Sequence, residues 1–192
     1  PLKNLKVTPI TRNISDQHAY LRALDCDLLF CCADKPRARY ILNHLAYSHL
    51  LTVFNGGILA EITDGKLHFA DWELSIIGPG YPCMQCVSAY KSSDVILEIE
   101  GKLEDPEYIR GLLDESIHKQ NQNVMPFSMN LASLEVLQMI AYVAGIAELQ
   151  YYGIQRYRFK QGRLSNLSDK VCHEKCDFNN NIAKGDSIIC PI

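Results

Sequence analysis

The sequence has no excess of positive charge. Its 19 lysines and arginines are set against 22 aspartates and glutamates, for a formal net charge of −3. That argues against a nucleic-acid binder, which needs a basic surplus to neutralise phosphates. Long apolar runs are also missing. The most apolar stretch, Val136–Ala147, is interrupted by Gln138 and falls well short of the ~20 residues that cross a bilayer. It reads as a core helix, so no membrane partner is expected. No stretch reads as a secretory signal, no segment repeats, and low complexity is confined to Asn179–Asn181. Eight cysteines in such a chain read as reduced thiols and metal ligands of a cytoplasmic protein, not as a disulfide scaffold. With 47% hydrophobic and 21% charged residues over 192 positions, the chain has material for one medium-sized domain with a real core.

What is present stands out against those absences. Cys83-Met-Gln-Cys86 and Cys172-His-Glu-Lys-Cys176 form two close cysteine pairs. Each pair is spaced so that two thiolates can turn onto one ion, and a tetrahedral zinc with four sulfur ligands has no open position for chemistry. Cys83, Cys86, Cys172 and Cys176 are therefore the expected ligands of a structural zinc, which would fold the C-terminal segment back onto the middle of the chain. His173, between two of them, is expected to be exposed and not metal-bound.

Hydrophobic patterning predicts alternating strands and helices in the first third. Leu5–Ile10 is a short strand candidate. Ser15 and Asp16 can cap a helix through Leu24. Asp27–Ala33 is an uninterrupted apolar run, suited to a parallel strand covered on both faces. Cys26, Cys31 and Cys32 lie in or beside that run and are expected to be buried packing residues. Asp34 ends the strand, and Pro36 suits the first turn of a helix that buries Tyr40, Leu42, Leu45 and Ala46. Leu50–Phe54 is the next strand, broken by Asn55-Gly56-Gly57. A hairpin turning at Asp64-Gly65 then joins Ile58–Ile62 to Lys66–Phe69. Residues 91–125 are polar and expected to hold a mobile loop, with an amphipathic helix candidate at Pro106–His118 and an Asn/Gln-rich stretch at Lys119–Asn123. Pro126 and Ser128 open a core helix over Asn130–Leu149. Tyr151–Lys160 alternates like a strand, Gln161-Gly162 turns, and Leu164–Leu167 returns. The class is α/β, with parallel strands first and antiparallel strands later.

In parallel sheets ligands sit at the carboxyl ends of the strands, which singles out Asp34. A carboxylate there can hold a magnesium ion bridging nucleotide phosphates, or it can simply cap the following helix. Lys35, Arg37 and Arg39 follow and can meet an anion, or stay solvated at the start of a surface helix.

The linear order of these pieces resembles the ThiF/MoeB/HesA adenylyltransferases, bacterial relatives of ubiquitin-activating enzymes. Residues 27–43, Asp-Leu-Leu-Phe-Cys-Cys-Ala-Asp-Lys-Pro-Arg-Ala-Arg-Tyr-Ile-Leu-Asn, are similar to that family's D-V-V-x-D-x-T-D-N-x-x-x-R-x-x-x-N segment. Asp34, Arg39 and Asn43 fall on the motif's Asp, Arg and Asn, and Lys35 replaces its Asn. Thr52–Gly57, the loop Gly80–Cys86, the segment Val124–Glu135 and the second cysteine pair follow in the family's order, so the resemblance covers roughly residues 5–176.

The resemblance implies a Rossmann-like, mostly parallel sheet, incomplete at its N-terminus, followed by antiparallel strands and a zinc-braced C-terminal part. Residues 1–192 would form a single partial adenylation domain, with the remaining parallel β/α part at 1–57 and the rest at 58–192. It implies ATP and Mg2+ as cofactors, and adenylation of the C-terminal glycine of a ubiquitin-like or sulfur-carrier protein. Asp34 would be the catalytic residue, helping to hold magnesium and triphosphate. Lys35 and Arg39 would belong to the cofactor site, Arg39 mainly by holding the loop and helix in place. The family's glycine-rich loop and its phosphate-gripping arginine and lysine would lie upstream of residue 1, and the chain contains no G-x-G-x-x-G. It is therefore expected to match the C-terminal two-thirds of the domain and to be inactive alone. The alternative is a non-catalytic zinc-braced module that binds a ubiquitin-like protein or an active subunit. No cysteine lies between Val87 and Val171, which points to an enzyme that stops at the adenylate. Cys190, beside Pro191, is the one spare candidate nucleophile. A homodimer is the expected assembly; helix 130–149 could contribute, although burial in its own core is the simpler expectation for it.

Overall fold

The computed structural model describes residues 6–63, 66–103, 125–146, 153–167 and 170–187. The helix candidate Pro106–His118, the stretch Lys119–Asn123, the hairpin turn Asp64-Gly65 and Cys190 lie outside the described residues.

Asp16 starts the first helix, α1 (Gln17–Leu24), by accepting the His18 amide on its side chain at 2.9 Å, as an N-cap aspartate does. Strand β1 (Leu28–Cys31), helix α2 (Pro36–Ser48) and strand β2 (Thr52–Thr63) then form a β-α-β unit in which β1 and β2 run parallel, Leu28 beside Thr52 and Cys31 beside Asn55. Strand β3 (Lys66–Ile77) returns antiparallel to β2, followed in the sheet by β4 (Ile154–Arg158) and β5 (Arg163–Asn166), both antiparallel to their neighbours. The result is one five-stranded mixed sheet in the order β1-β2-β3-β4-β5. Among the described residues only the β1–β2 pair is parallel, so the expectation of a mostly parallel sheet is corrected.

Several local expectations are corrected too. Lys6–Ile10 forms no strand; Val7 is 77% exposed, and Pro9 cannot donate to a ladder. β1 is an edge strand in this sheet, so Phe30 is partly exposed and the run is not covered on both faces. Asn55-Gly56-Gly57 does not break β2, which runs straight through it paired with Ser75, Leu74 and Glu73.

The sheet is packed on both faces. On one face lie α1, α2 and the C-terminal segment, around Ile41, Leu45, Tyr47, Val53, Ile77, Met84 and Phe178. On the other, helix α4 (Met125–Ala144) lays Phe127 and Leu131 on Ala70, Trp72 and Leu74. Trp72 stacks on both Phe127 and Tyr157 and donates its indole N–H to Asn130 Oδ1 at 2.8 Å. Helix α4 ends before the expected Leu149 because Gly145 takes a positive φ of 69° and the Ile146 and Gly145 amides bond back to Ala141 and Tyr142, the glycine-terminated C-cap that stops helices. Helix α3 (Ser92–Ile99) lies within the stretch read only as polar. Its only buried residue is Val95, although Val95, Ile96, Leu97 and Ile99 are apolar.

Helix α4 also departs from the expected burial in the chain's own core, being only partly buried. It is long and apolar enough to cross a membrane by length and composition, yet it lies on β2 and β3. Phe127, Leu131, Glu135, Gln138 and Ala141 face inward, while Met129, Val136, Leu137, Ile140 and Val143 are exposed.

Candidate functional site: a cysteine clasp and an acidic cavity

The loop after β3 carries the first cysteine pair, and its position is fixed by α2. Buried Asn43 accepts the Met84 amide on Oδ1 at 3.0 Å and donates from Nδ2 to the Tyr90 hydroxyl at 3.2 Å. Tyr47 donates its hydroxyl to the Tyr81 carbonyl. The second pair arrives with the C-terminal segment, where the short helix α5 (Asp177–Asn180) buries Phe178 against Tyr40 and Tyr47. Beyond it, the Ala183 and Gly185 amides donate to the carbonyls of Tyr47 and Ser48 at the end of α2.

These contacts bring the sulfurs of Cys83, Cys86, Cys172 and Cys176 within 4.8 Å of one another, with Cys83 and Cys176 Sγ 3.6 Å apart. A tetrahedral thiolate site with Zn–S bonds of about 2.3 Å has its sulfurs about 3.8 Å apart, so the donor set is compatible with zinc. The sulfurs are oriented as ligands usually are. Cys172 Sγ accepts the Cys83 amide at 3.2 Å, and Cys83 Sγ accepts the Cys86 amide at 3.3 Å. Burial pushes the Cys83 thiol up. At Cys176 burial acts the same way, but hydrogen bonds from the Asn179 amide and the three other cysteines outweigh it and lower its pKa. His173 is exposed and outside this cluster.

The second feature is a cavity of about 390 Å³ at the open end of β1, lined among others by Cys32, Asp34, Arg39, Gly56, Gly57 and Glu135. Its origin is in the strand lengths. β1 stops beside Asn55 while β2 continues to Thr63, leaving room along the edge. A Cβ on Gly56 would overlap the Glu135 carboxyl, and one on Gly57 would lie 3.4 Å from Arg39 Nη2. The glycine pair therefore lets α4 from one face and Arg39 from the other close in on the same strand.

Arg39 holds the Asp34 loop rather than reaching outward: its Nε donates to the Ala33 carbonyl at 2.9 Å and its Nη1 to the Ala89 carbonyl at 2.6 Å. That ties the end of β1 to the loop of the first cysteine pair. Asp34 itself is exposed. It does not cap α2, whose N-cap is Lys35 with no side-chain cap bond. The Arg37 amide is instead taken by Glu98 of α3 at 2.8 Å, a carboxylate at a helix N-terminus. Asp34 is thus left at the cavity with no helix-capping role.

Two cysteine expectations are corrected. Cys31 is fully buried, but Cys26 and Cys32 are exposed. Cys32 lies at the point where β1 has ended, so the strand's alternation no longer decides its facing.

Glu135 is the site residue the sequence did not disclose. It is 5% exposed, its Oε1 has no hydrogen-bond partner, and burial raises its pKa to about 7. It is the only charged residue between Met125 and Ile146. A lone acid in an apolar helix was the available signal, but no spacing in the chain joins it to Asp34. No protein-family model and no curated protein matches the chain.

Proposed function

We propose that this chain is the C-terminal part of an adenylation domain that activates the C-terminus of a ubiquitin-like or sulfur-carrier protein with ATP and Mg2+. The observation that carries the reading is Asp34, which stands at the carboxyl end of a parallel strand, beside a cavity, on a loop fixed by Arg39. Parallel strand ends are where phosphate-bearing ligands sit. A carboxylate there can hold the magnesium that neutralises a triphosphate. The chain's own contribution is positional. Arg39 fixes the loop, Asn43 ties α2 to the cysteine loop, and zinc in the four-cysteine cluster would brace both from behind. Lys35, next to Asp34, is the further residue assigned to the nucleotide.

The chain has no glycine-rich phosphate loop, so ATP must also be gripped by residues outside the 192. The test is ATP–pyrophosphate exchange on a longer chain that includes a glycine-rich segment, with candidate carrier proteins. Exchange should appear with the cognate carrier and fall at least 100-fold in Asp34→Asn, the scale of losing one positioned charge at a reacting phosphate. Absence of exchange with every carrier would remove the reading.

A homodimer, which the catalytic and the non-catalytic reading both allow, is favoured by α4. Its outer face carries Met129, Val136, Leu137, Ile140 and Val143 with no charge among them. A second copy of this chain is the partner we propose for that face, since two neutral apolar surfaces meet without like-charge repulsion. Light scattering should give twice the 21.7 kDa chain mass for the wild type and the single mass for Leu137→Glu. A wild-type monomer at high concentration excludes the homodimer.

A further inference from the structure

Glu135 has the features of a binding group whose partner the protein itself does not supply. Carboxylates are almost never this buried unless something pairs with them. Yet Glu135 Oε1 meets no hydrogen-bond donor, and the one influence on the group's ionisation is burial. The cation lining the same cavity, Arg39, spends its Nε and Nη1 on the carbonyls of Ala33 and Ala89, and its Nη2 lies beside Gly57. The other titratable or charged groups lining the cavity are Cys32 and Asp34 after β1 and Arg39 from α2; β2 and the rest of α4 contribute none. Their formal balance, two carboxyls against one guanidinium, leaves the cavity short of positive charge. Apart from the Ser128 hydroxyl, its remaining wall is largely apolar, with Ile58 and Ala60 on β2 and Leu131 on α4.

We propose that this cavity binds the ammonium group of a small amine, with Glu135 accepting its N–H, Asp34 adding a second negative charge, and the apolar wall covering the alkyl stem. The volume of about 390 Å³ is that of a small-molecule site, in which a few placed polar groups set orientation within apolar walls. A cation entering beside Glu135 restores the partner that a buried carboxylate requires, so binding draws a proton off Glu135 at neutral pH.

Isothermal titration calorimetry with n-butylammonium chloride and with neutral n-butanol, at pH 7 in two buffers of different ionisation enthalpy, tests it. Butylammonium should bind at least tenfold more tightly than butanol and release protons to the buffer. Glu135→Gln keeps the side chain's shape and should abolish both the preference and the proton release. Glu135→Leu, which removes the buried polar group altogether, should do the same, so loss in both variants with cooperative unfolding retained is not a folding artefact. Equal affinity for the two probes, as for a water-filled cavity with no charge selectivity, overturns the proposal. So does unchanged butylammonium binding in Glu135→Gln, or no saturable binding of either probe. A negative pyrophosphate-exchange assay leaves these outcomes untouched, because neither ATP nor a carrier enters the titration.

Discussion

Cys176→Ser is expected to strip the metal from the protein and to destabilise it by on the order of 4–5 kcal/mol, the range in which a lost metal site belongs. Serine is a poor ligand for a soft ion, and it leaves three thiols around a gap. The loss would not stay local. The cluster holds the C-terminal segment on α2, where Phe178 packs on Tyr40 and Tyr47 and the Ala183 and Gly185 amides bond to the helix end. It also holds the Cys83 loop, which Asn43 and Arg39 connect to the Asp34 end of α2. The variant should lose one equivalent of zinc by metal analysis and unfold at lower denaturant. A strong chelator added to the wild type should produce the same shift, because ion binding and folding are one equilibrium in such sites. If reduced, freshly purified protein carries no zinc, or if Cys176→Ser unfolds at the wild-type midpoint, the clasp is not metal-held.

Glu135→Gln is expected to make the protein more stable above neutral pH, by about 2–4 kcal/mol at pH 8, and no more stable at pH 4.5. The sign follows from the direction of the shift. Burial raises the Glu135 pKa from 4.5 to about 7, so between those values the folded state holds a proton that the unfolded state has released. Wild-type stability therefore falls as pH rises from about 4.5 to about 7, then levels off, and the amide removes that fall. Urea denaturation of both proteins from pH 4.5 to pH 8.5 measures it. Parallel curves across the range would mean that Glu135 is paired in solution. A buried acid that weakens the fold at working pH is the kind of local conflict natural proteins keep at functional positions.

The parts legible in the sequence were those in which neighbouring residues decide the outcome. Asp16 capping α1 and Pro36 opening α2 rest on contacts within one turn. The two cysteine pairs were legible because each spacing is local, and the clustering of all four follows from the chemistry that would join them. The misread places depended on distant partners. Gly56-Gly57 looked like a strand break because the reason for two glycines, Glu135 against Gly56 and Arg39 against Gly57, lies 79 and 18 residues away in the chain. Cys32 looked like a core residue because nothing local shows that β1 ends one residue earlier. Helix α3 was missed because its apolar run, Val95, Ile96, Leu97 and Ile99, is short and set among polar residues, and the contact of Glu98 with the Arg37 amide is long-range.

By itself, then, the sequence determined that this is an α/β chain with two cysteine pairs spaced for one metal and with Asp34 just beyond a strand, since hydrophobic period, capping and ligand spacing are all short-range. Only the tertiary structure decided that the sheet is mostly antiparallel, that α4 keeps an apolar face outward, and that Glu135 shares a cavity with Asp34. Those outcomes depend on which strand edges and helix faces meet, a long-range competition for burial that no local pattern records.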